Sequence, residues 1–161
     1  MGGFFAVSLG GNLQNTRRAF ERALRLLLLN RNLTLTGISP VLRTDPWEII
    51  APAFQNQVLT GYSRIGAPGL WALLVRTERR ERRRGKGKLY PRTLDLDFLL
   101  FEGPVSPRKD LVLPHPRLNS RRELLGLLER AKRSHRSSLL RIAKKRKTVG
   151  IPSGRYGEKS L

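Results

Sequence analysis

The chain contains no cysteine and few acidic residues. Of its 161 residues, 32 are lysine or arginine and only 12 are aspartate or glutamate, which gives a formal net charge of +20. The lack of cysteine excludes disulfide bonds, thiolate catalysis and zinc-thiolate sites, and it fits a reducing compartment. The excess of cations indicates an anionic partner, such as nucleic acid, acidic lipid or nucleotide phosphates.

Long apolar runs are also missing. The leucine run at 26–29 has arginines around it and is far shorter than the roughly 20 residues that span a bilayer. No secretory signal is visible either, so we expect a cytoplasmic protein without membrane contact. A chain of 161 residues is most simply one folding domain, long enough to bury a core of its own.

An acidic pair stands inside an apolar stretch, PRTLDLDFLL at residues 91–100. In a strand, side chains alternate between faces, so Asp95 and Asp97 point the same way with Cα atoms roughly 6–7 Å apart. Two such carboxylates repel each other unless a cation joins them, and Mg²⁺ with phosphates suits an all-oxygen site. A second interpretation is an edge strand whose solvated face carries ordinary acids. The opposite face is predicted to carry Leu94, Leu96, Phe98 and Leu100.

Hydrophobic periodicity predicts the element order β-α-β-β-α-β. This is the order of a ferredoxin-like α+β fold, a two-layer sandwich whose mainly antiparallel sheet carries helices on one face. A third helix is predicted to begin at Ser120, where Ser120 and Glu123 match a capping box. The predicted strands are 3–9, 33–43, 54–64 and 94–101, and the first two helices are 16–29 and one that begins near Pro68.

Two segments concentrate the positive charge. A loop with glycines carries Arg82, Arg84 and further lysines toward Arg92, and such a loop beside a metal site could close over a triphosphate. A solvated basic helix end is the alternative. Residues 132–147 contain eight lysines or arginines and no acid, which predicts a basic helix or a disordered tail, suited to non-specific nucleic-acid contact.

Five short motifs resemble those of the 6-hydroxymethyl-7,8-dihydropterin pyrophosphokinases, enzymes of folate biosynthesis. They lie in family order at nearly family spacing and cover roughly residues 3–130. The resemblance implies a ferredoxin-like catalytic domain over 1–130, followed by a basic extension over 131–161. It also implies transfer of diphosphate from ATP to the pterin hydroxymethyl group, with release of AMP. The motifs are SLGGNL (8–13), SPVLRT (39–44), FQN (54–56), PRTLDLDFLL (91–100) and LPHPRL (113–118).

The same resemblance implies roles for single residues in binding ATP and the pterin, and we expect the protein to be a monomer. Asp95 and Asp97 would hold two Mg²⁺ ions that bridge the phosphates. Phe54 would stack on the pterin, and Thr44 and Asn56 would hydrogen-bond its edge. Arg82 and Arg92 would join the aspartates as catalytic residues. The expected contacts of the nucleotide are Glu78, Arg82, Arg84, Arg92, His115 and Arg121.

The chain departs from the family at several positions. Leu89 and Tyr90 stand where the family commonly has Trp-Gly, and Glu123 stands where many members carry phenylalanine. An alternative function is therefore a nucleic-acid-binding protein that keeps the fold with weakened or lost catalysis. The net charge of +20 motivates this alternative. It gives the acidic pair no role, because two carboxylates would repel a polyanion.

Overall fold

The chain folds into an antiparallel sheet that is covered by helices. The structure is a computed structural model, and it describes residues 1–13, 15–44, 53–82, 94–105 and 108–134 together with Leu139, without the side chain of Arg82. The strands are β1 (Gly3–Gly11), β2 (Leu33–Ile38), β3 (Leu42–Thr44), β4 (Phe54–Ser63) and β5 (Asp95–Glu102). The helices are α1 (Thr16–Leu28), α2 (Ala67–Arg82) and α3 (Arg122–Arg133).

The sheet has the strand order β2-β4-β1-β5, and β3 also pairs with β4. Each of these pairings is antiparallel. β1 and β4 therefore lie inside the sheet and carry hydrogen bonds on both edges. The α+β class and the antiparallel ferredoxin-like arrangement predicted from the sequence are confirmed.

Two apolar clusters lie on opposite faces of the sheet. Phe5, Val7 and Leu9 of β1 share one cluster with the buried faces of α1 and α2. Ala6 of β1 belongs to the other cluster, which contains the buried face of α3. The prediction of helices on one face describes α1 and α2. It omits α3, which adds a third layer on the opposite side.

The strand predicted over 33–43 is interrupted. β2 ends at Ile38 and β3 begins at Leu42, with Ser39, Pro40 and Val41 between them. Pro40 has no backbone N–H to continue the ladder. The Ser39 hydroxyl instead accepts a hydrogen bond from the Val58 N–H at 2.9 Å, and the Ser39 carbonyl accepts one from Gln57 Nε2 at 2.9 Å. Ser39 thus bridges the gap in the edge of the sheet.

A β-bulge interrupts β5. Ala6 pairs with Leu100 and Val7 with Phe98, so Leu99 is an extra residue in the ladder. The alternation of side chains shifts at this point, and both Leu99 and Leu100 contact the α3-side cluster. The prediction that Leu100 shares a face with Phe98 is therefore wrong, because a pattern of period two does not allow for an inserted residue.

The start of α3 differs from the predicted capping box. The helix begins at Arg122, and Arg121 occupies the N-cap without a side-chain hydrogen bond to the helix. The Ser120 hydroxyl donates instead to the Arg117 carbonyl at 3.1 Å, which closes the preceding turn. Glu123 lies exposed in the first helical turn, where a negative charge interacts favourably with the helix dipole.

An ion pair joins α1 and α2, the two helices that cover the same face of the sheet. The Arg22 guanidinium on α1 donates from Nε to Glu81 Oε1 at 3.0 Å and from the terminal nitrogen to Oε2 at 2.6 Å. Glu81 is almost fully buried, and its hydrogen bonds raise the pKa of Arg22. Because Glu81 precedes the last residue of α2, this bidentate pair fixes the end of that helix against α1.

The basic C-terminal extension lies largely outside the described residues. α3 ends at Arg133, and Leu139 is buried in the apolar cluster that contains the buried faces of α1 and α2. The predicted boundary at residue 130 and the helical or disordered character of the tail remain predictions. Within the described ranges, no helix has both the length and the apolar character needed to cross a membrane.

α3 packs closely against the sheet at Gly37 of β2. A Cβ atom on Gly37 would overlap the Ala131 carbonyl and would lie 2.7 Å from Thr60 Oγ1. The same contact region is fixed by a hydrogen bond from the Ile38 N–H to Ser134 Oγ at 3.1 Å. Only glycine leaves room for this backbone-to-backbone packing.

Gly37→Ala should therefore destabilise the fold by about 1–3 kcal/mol, because the helix must shift away from the sheet. Gly126→Ala on α3 is the matched control, since a Cβ atom there would meet nothing within 4 Å and alanine favours a helix by roughly 0.5–1 kcal/mol. Urea denaturation measures both changes. Equal stability of the two variants would contradict the close approach.

Candidate active site

A cavity of about 910 Å³ opens on the α3 side of the sheet. It lies over the ends of β1, β4 and β5 and is bounded by the turn before α3. Most of its lining side chains are polar or charged, and three of the strands contribute to it. The lining residues are Ser8, Gly10, Gly11, Asn12, Phe54, Asn56, Asp95, Asp97, His115, Pro116, Arg117, Arg121 and Leu124.

The strand register brings the predicted residues together. Gly10 of β1 pairs with Asn56 on β4 and with Asp95 on β5. Residues paired across antiparallel strands point to the same face, so Asn56 and Asp95 flank Gly10 on the cavity side. A Cβ atom on Gly10 would lie 3.4 Å from Asn56 Oδ1 and 4.0 Å from Asp95 Cβ. The glycine therefore leaves one continuous space between the amide and the carboxylates.

Asp97 pairs with Ser8, one row further along the same face. Partial burial raises the pKa of the Asp97 carboxyl, and the neighbouring Asp95 carboxylate raises it further. His115, Arg121 and Arg117 oppose this shift. The expected placement of both acids on one face is thus observed, and their repulsion is the condition that a bound cation would relieve.

His115 extends the acidic pair with a fixed imidazole. Its Nε2 lies 3.9 Å from Asp97 Oδ1, and its Nδ1 accepts a hydrogen bond from the Arg117 N–H at 3.2 Å. In the neutral ring the proton is therefore assigned to Nε2, on the side of Asp97. The His115 backbone N–H donates to the carbonyl of the bulged Leu99 at 2.7 Å. The bulge in β5 thus holds the loop that carries this histidine.

Two arginines add positive charge to the same cavity. The family resemblance implies Arg121 as a site residue, whereas Arg117 is missed. The sequence signal for Arg117 is its place directly after the His-Pro turn. Both side chains are exposed, and together with His115 they supply donors for anionic groups opposite the carboxylates.

The other end of the cavity combines an aromatic ring with an amide. Phe54 is 41% exposed in spite of its apolar ring, and it lines the cavity. Asn56 Nδ2 donates to Thr44 Oγ1 at 3.3 Å, and Thr44 pairs with Phe54 across β3 and β4. An exposed ring beside an ordered amide suits a flat heterocycle with a polar edge.

Asn12 belongs to the motif SLGGNL but is not predicted as a site residue, so its position in the cavity is missed. Its side chain is buried, and its Oδ1 atom has no hydrogen-bond partner among the described residues. Ser8, the first residue of the same motif, and Leu124, which resembles a core residue in sequence, are also missed.

Several predicted residues cannot be compared with the cavity. Arg84 and Arg92 lie outside the described residues, as do Leu89 and Tyr90. Arg82 ends α2, and its side chain is also outside them. Glu78 lies on α2 and is not among the residues that line this cavity. Glu123, where a second aromatic residue is expected, is exposed, while its neighbour Leu124 lines the cavity.

The fold and the cavity define a class of protein: an antiparallel α+β domain whose paired carboxylates, histidine and arginines share one sheet face with an aromatic ring. The family model for 7,8-dihydro-6-hydroxymethylpterin-pyrophosphokinase (HPPK) matches residues 6–132. The chain therefore belongs to this family, whose members bind a pterin and use ATP as co-substrate.

Relatives of two lengths match the same region. The mitochondrial folate synthesis bifunctional protein of Arabidopsis thaliana is 34% identical over 128 residues, which cover 76% of this chain and 22% of the relative. The 2-amino-4-hydroxy-6-hydroxymethyldihydropteridine pyrophosphokinase of Bacillus subtilis is 29% identical over 123 residues, which cover 76% of this chain and 74% of the relative. The chain thus spans less than a third of the bifunctional relatives and most of the shorter ones.

The raised pKa of Asp97 has a consequence for stability. The folded state retains the proton to higher pH than the unfolded state, so stability should fall as pH rises above the ordinary value of 3.8. At neutral pH and with EDTA, Asp97→Asn should therefore melt a few degrees higher than the wild type. The difference should shrink as the pH is lowered toward 3.8.

Glu102→Gln, at the exposed far end of the same strand, is the control and should change the melting temperature little. Thermal unfolding followed by circular dichroism measures all three proteins. A lower melting temperature for Asp97→Asn would contradict the raised pKa that burial and the neighbouring Asp95 give to this carboxyl.

Proposed function

We propose that this protein transfers a diphosphate group from ATP to the hydroxymethyl oxygen of 6-hydroxymethyl-7,8-dihydropterin and releases AMP, as a step of folate biosynthesis. The observation that carries the proposal is the pairing of Gly10 with Asn56 on one side and with Asp95 on the other. This pairing brings a carboxylate and an amide that can hydrogen-bond the edge of a heterocycle to one face of the sheet. Family membership and the name of the Bacillus subtilis relative support the same reaction.

The donor set fits Mg²⁺. Asp95 and Asp97 share one face, and burial together with their mutual repulsion raises the pKa of Asp97. The described residues contain no group of three or more acids or histidines arranged to hold a metal, which suits an ion that takes its other ligands from phosphates and water. Two Mg²⁺ ions held by this pair would neutralise the phosphate oxygens and polarise the phosphorus that is attacked.

The chain's own residues would orient the two substrates. Phe54 stacks on the pterin, and Asn56 and Thr44 bind its polar edge. Leu124 contributes an apolar contact from the start of α3, where Glu123 replaces the family's aromatic residue. The pterin hydroxymethyl group then points along the sheet face toward Asp95, so that its oxygen can approach the β-phosphorus in line with the departing AMP.

The nucleotide phosphates would bind on the side of His115 and Arg121. The proton on His115 Nε2 makes this histidine a hydrogen-bond donor to a phosphate oxygen rather than a base, and Arg117 adds a further positive charge. Glu78, Arg82, Arg84 and Arg92 retain the nucleotide contacts that the family resemblance implies, with Arg82 and Arg92 as catalytic residues. We also propose that the protein acts as a monomer.

No observation on the described residues favours the nucleic-acid-binding alternative. The acidic pair faces the cavity, where it would repel a polyanion. Non-specific nucleic-acid contact through the basic tail remains a separate prediction for residues outside the described part of the chain.

Asp97→Ala should lower the rate of AMP release at least roughly 100-fold, because a metal ligand that supplies several kcal/mol of transition-state stabilisation is removed. The assay mixes protein, MgATP and 6-hydroxymethyl-7,8-dihydropterin and quantifies AMP by chromatography. Glu102→Gln is the matched control on β5 and should retain the wild-type rate. Wild-type turnover that persists after Mg²⁺ is chelated would overturn the proposed role of the pair.

Phe54→Ala should raise the KM for the pterin roughly tenfold and leave the KM for ATP nearly unchanged, because an aromatic contact of about 1.5 kcal/mol is lost. Tyr62→Ala is the control, since Tyr62 is an exposed aromatic residue on the same strand that contacts Phe4 instead of the cavity. A rise in both KM values would assign Phe54 to the architecture of the site and contradict pterin stacking.

A further inference from the structure

A second cavity, of about 710 Å³, lies at the edge of the sheet formed by β2 and β3. It is bounded by α1, by the Ser39–Pro40 interruption and by the C-terminal half of α3. It shares no lining residue with the candidate active site. Its volume is in the range of pockets that hold small organic ligands.

Arginines dominate the charge of this edge cavity. Arg17 and Arg25 come from α1, and Arg130 and Arg133 come from α3. Glu21 is the one acid among the residues that line it. Two helices from opposite faces of the sheet therefore contribute four arginines to the lining of one cavity, and the resulting excess of positive charge favours an anionic ligand.

Arg25 provides a second, independent observation. Its Nε atom is buried and has no hydrogen-bond partner among the described residues. A buried donor without a partner costs free energy, and the cost is larger for a charged group. Arg25 also lines the cavity, and its planar guanidinium is suited to a carboxylate, sulfonate or phosphate.

The floor of the edge cavity is apolar. Phe20 and Leu24 of α1 are almost fully buried beneath it, and Pro40 and Val41 form its outer wall. Val41 is 44% exposed. Apolar walls beside convergent arginines match a ligand that has an apolar body and an anionic head.

We propose that the edge cavity binds a small organic anion, an aromatic or other apolar body that carries a carboxylate, sulfonate or phosphate group. Charge argues against two other occupants. Residues 135–161 of this chain contain eight lysines or arginines and one acid, and a second copy carries a net charge of +20. Either would place further cations against the four arginines. This site is separate from the proposed reaction and does not depend on it.

The test uses the full-length protein and 8-anilinonaphthalene-1-sulfonate, an aromatic sulfonate whose fluorescence rises on binding. Arg25→Gln should weaken its binding roughly tenfold, because a charge-assisted hydrogen bond is lost. Arg25→Lys keeps the charge without the planar fork, so it should weaken binding less. Arg31→Gln, at an exposed arginine in the turn after α1, is the matched control and should bind as the wild type does.

A second variant keeps the test valid if Arg25→Gln folds poorly. Val41→Asp changes an exposed residue of the cavity wall, and its negative charge should weaken sulfonate binding several-fold. Saturation with Mg²⁺ and α,β-methylene-ATP should leave the probe bound, since the two cavities share no residue. Displacement by this nucleotide would place the probe in the candidate active site and would overturn the proposal.

Three further results would also overturn it. Binding that is unaffected by both Arg25→Gln and Val41→Asp would mean that the probe lies elsewhere. Absence of binding at any protein concentration would mean that residues 135–161 fill the cavity. Binding that weakens as the protein concentration rises would mean that a second copy fills it.

Discussion

The site depends on β1 being hydrogen-bonded along both edges while it carries almost no side chain at the cavity. β4 on one side brings Asn56, and β5 on the other brings Asp95, and the register of both pairings meets at Gly10. A sheet fixes the separation of paired positions far more tightly than loops could. The amide and the carboxylates are therefore held at a constant spacing by backbone hydrogen bonds, and the helices need only cover the two apolar faces.

Holding the two carboxylates at this fixed spacing costs electrostatic free energy, and a cation bound between them would offset that cost. Asp97 is partly buried next to Asp95, and the pKa of its carboxyl is raised. The three groups that oppose this shift, His115, Arg117 and Arg121, come from one loop and from the N-cap of α3. The free protein thus balances repulsion within the strand against attraction from the loop. A metal ion carrying phosphates would satisfy both sets of charges at once.

The sequence predicts what local periodicity controls. The alternation of residues 94–98 is enough to put Asp95 and Asp97 on one face, and the element order is enough for the antiparallel fold. Leu100 is misplaced because a bulge adds one residue without a distinctive pattern, and Ser120 is misassigned because its hydroxyl turns back to Arg117 instead of capping α3. Arg25 and Arg130 are ordinary surface arginines in sequence. Only the packing of α1 and α3 around the sheet edge brings them to the same cavity.

The bulge at Leu99 divides β5 into two parts with different roles. Before it, the strand carries the acidic pair toward the cavity; after it, Leu100 and Phe101 pack on opposite faces of the sheet. The bulged residue itself is buried, and its carbonyl accepts the hydrogen bond that holds His115. The bulge therefore separates the hydrophobic end of the strand, where a substitution would change the packing, from the two acids. The packing of the core can change on one side of the bulge while the spacing of the carboxylates on the other side stays the same.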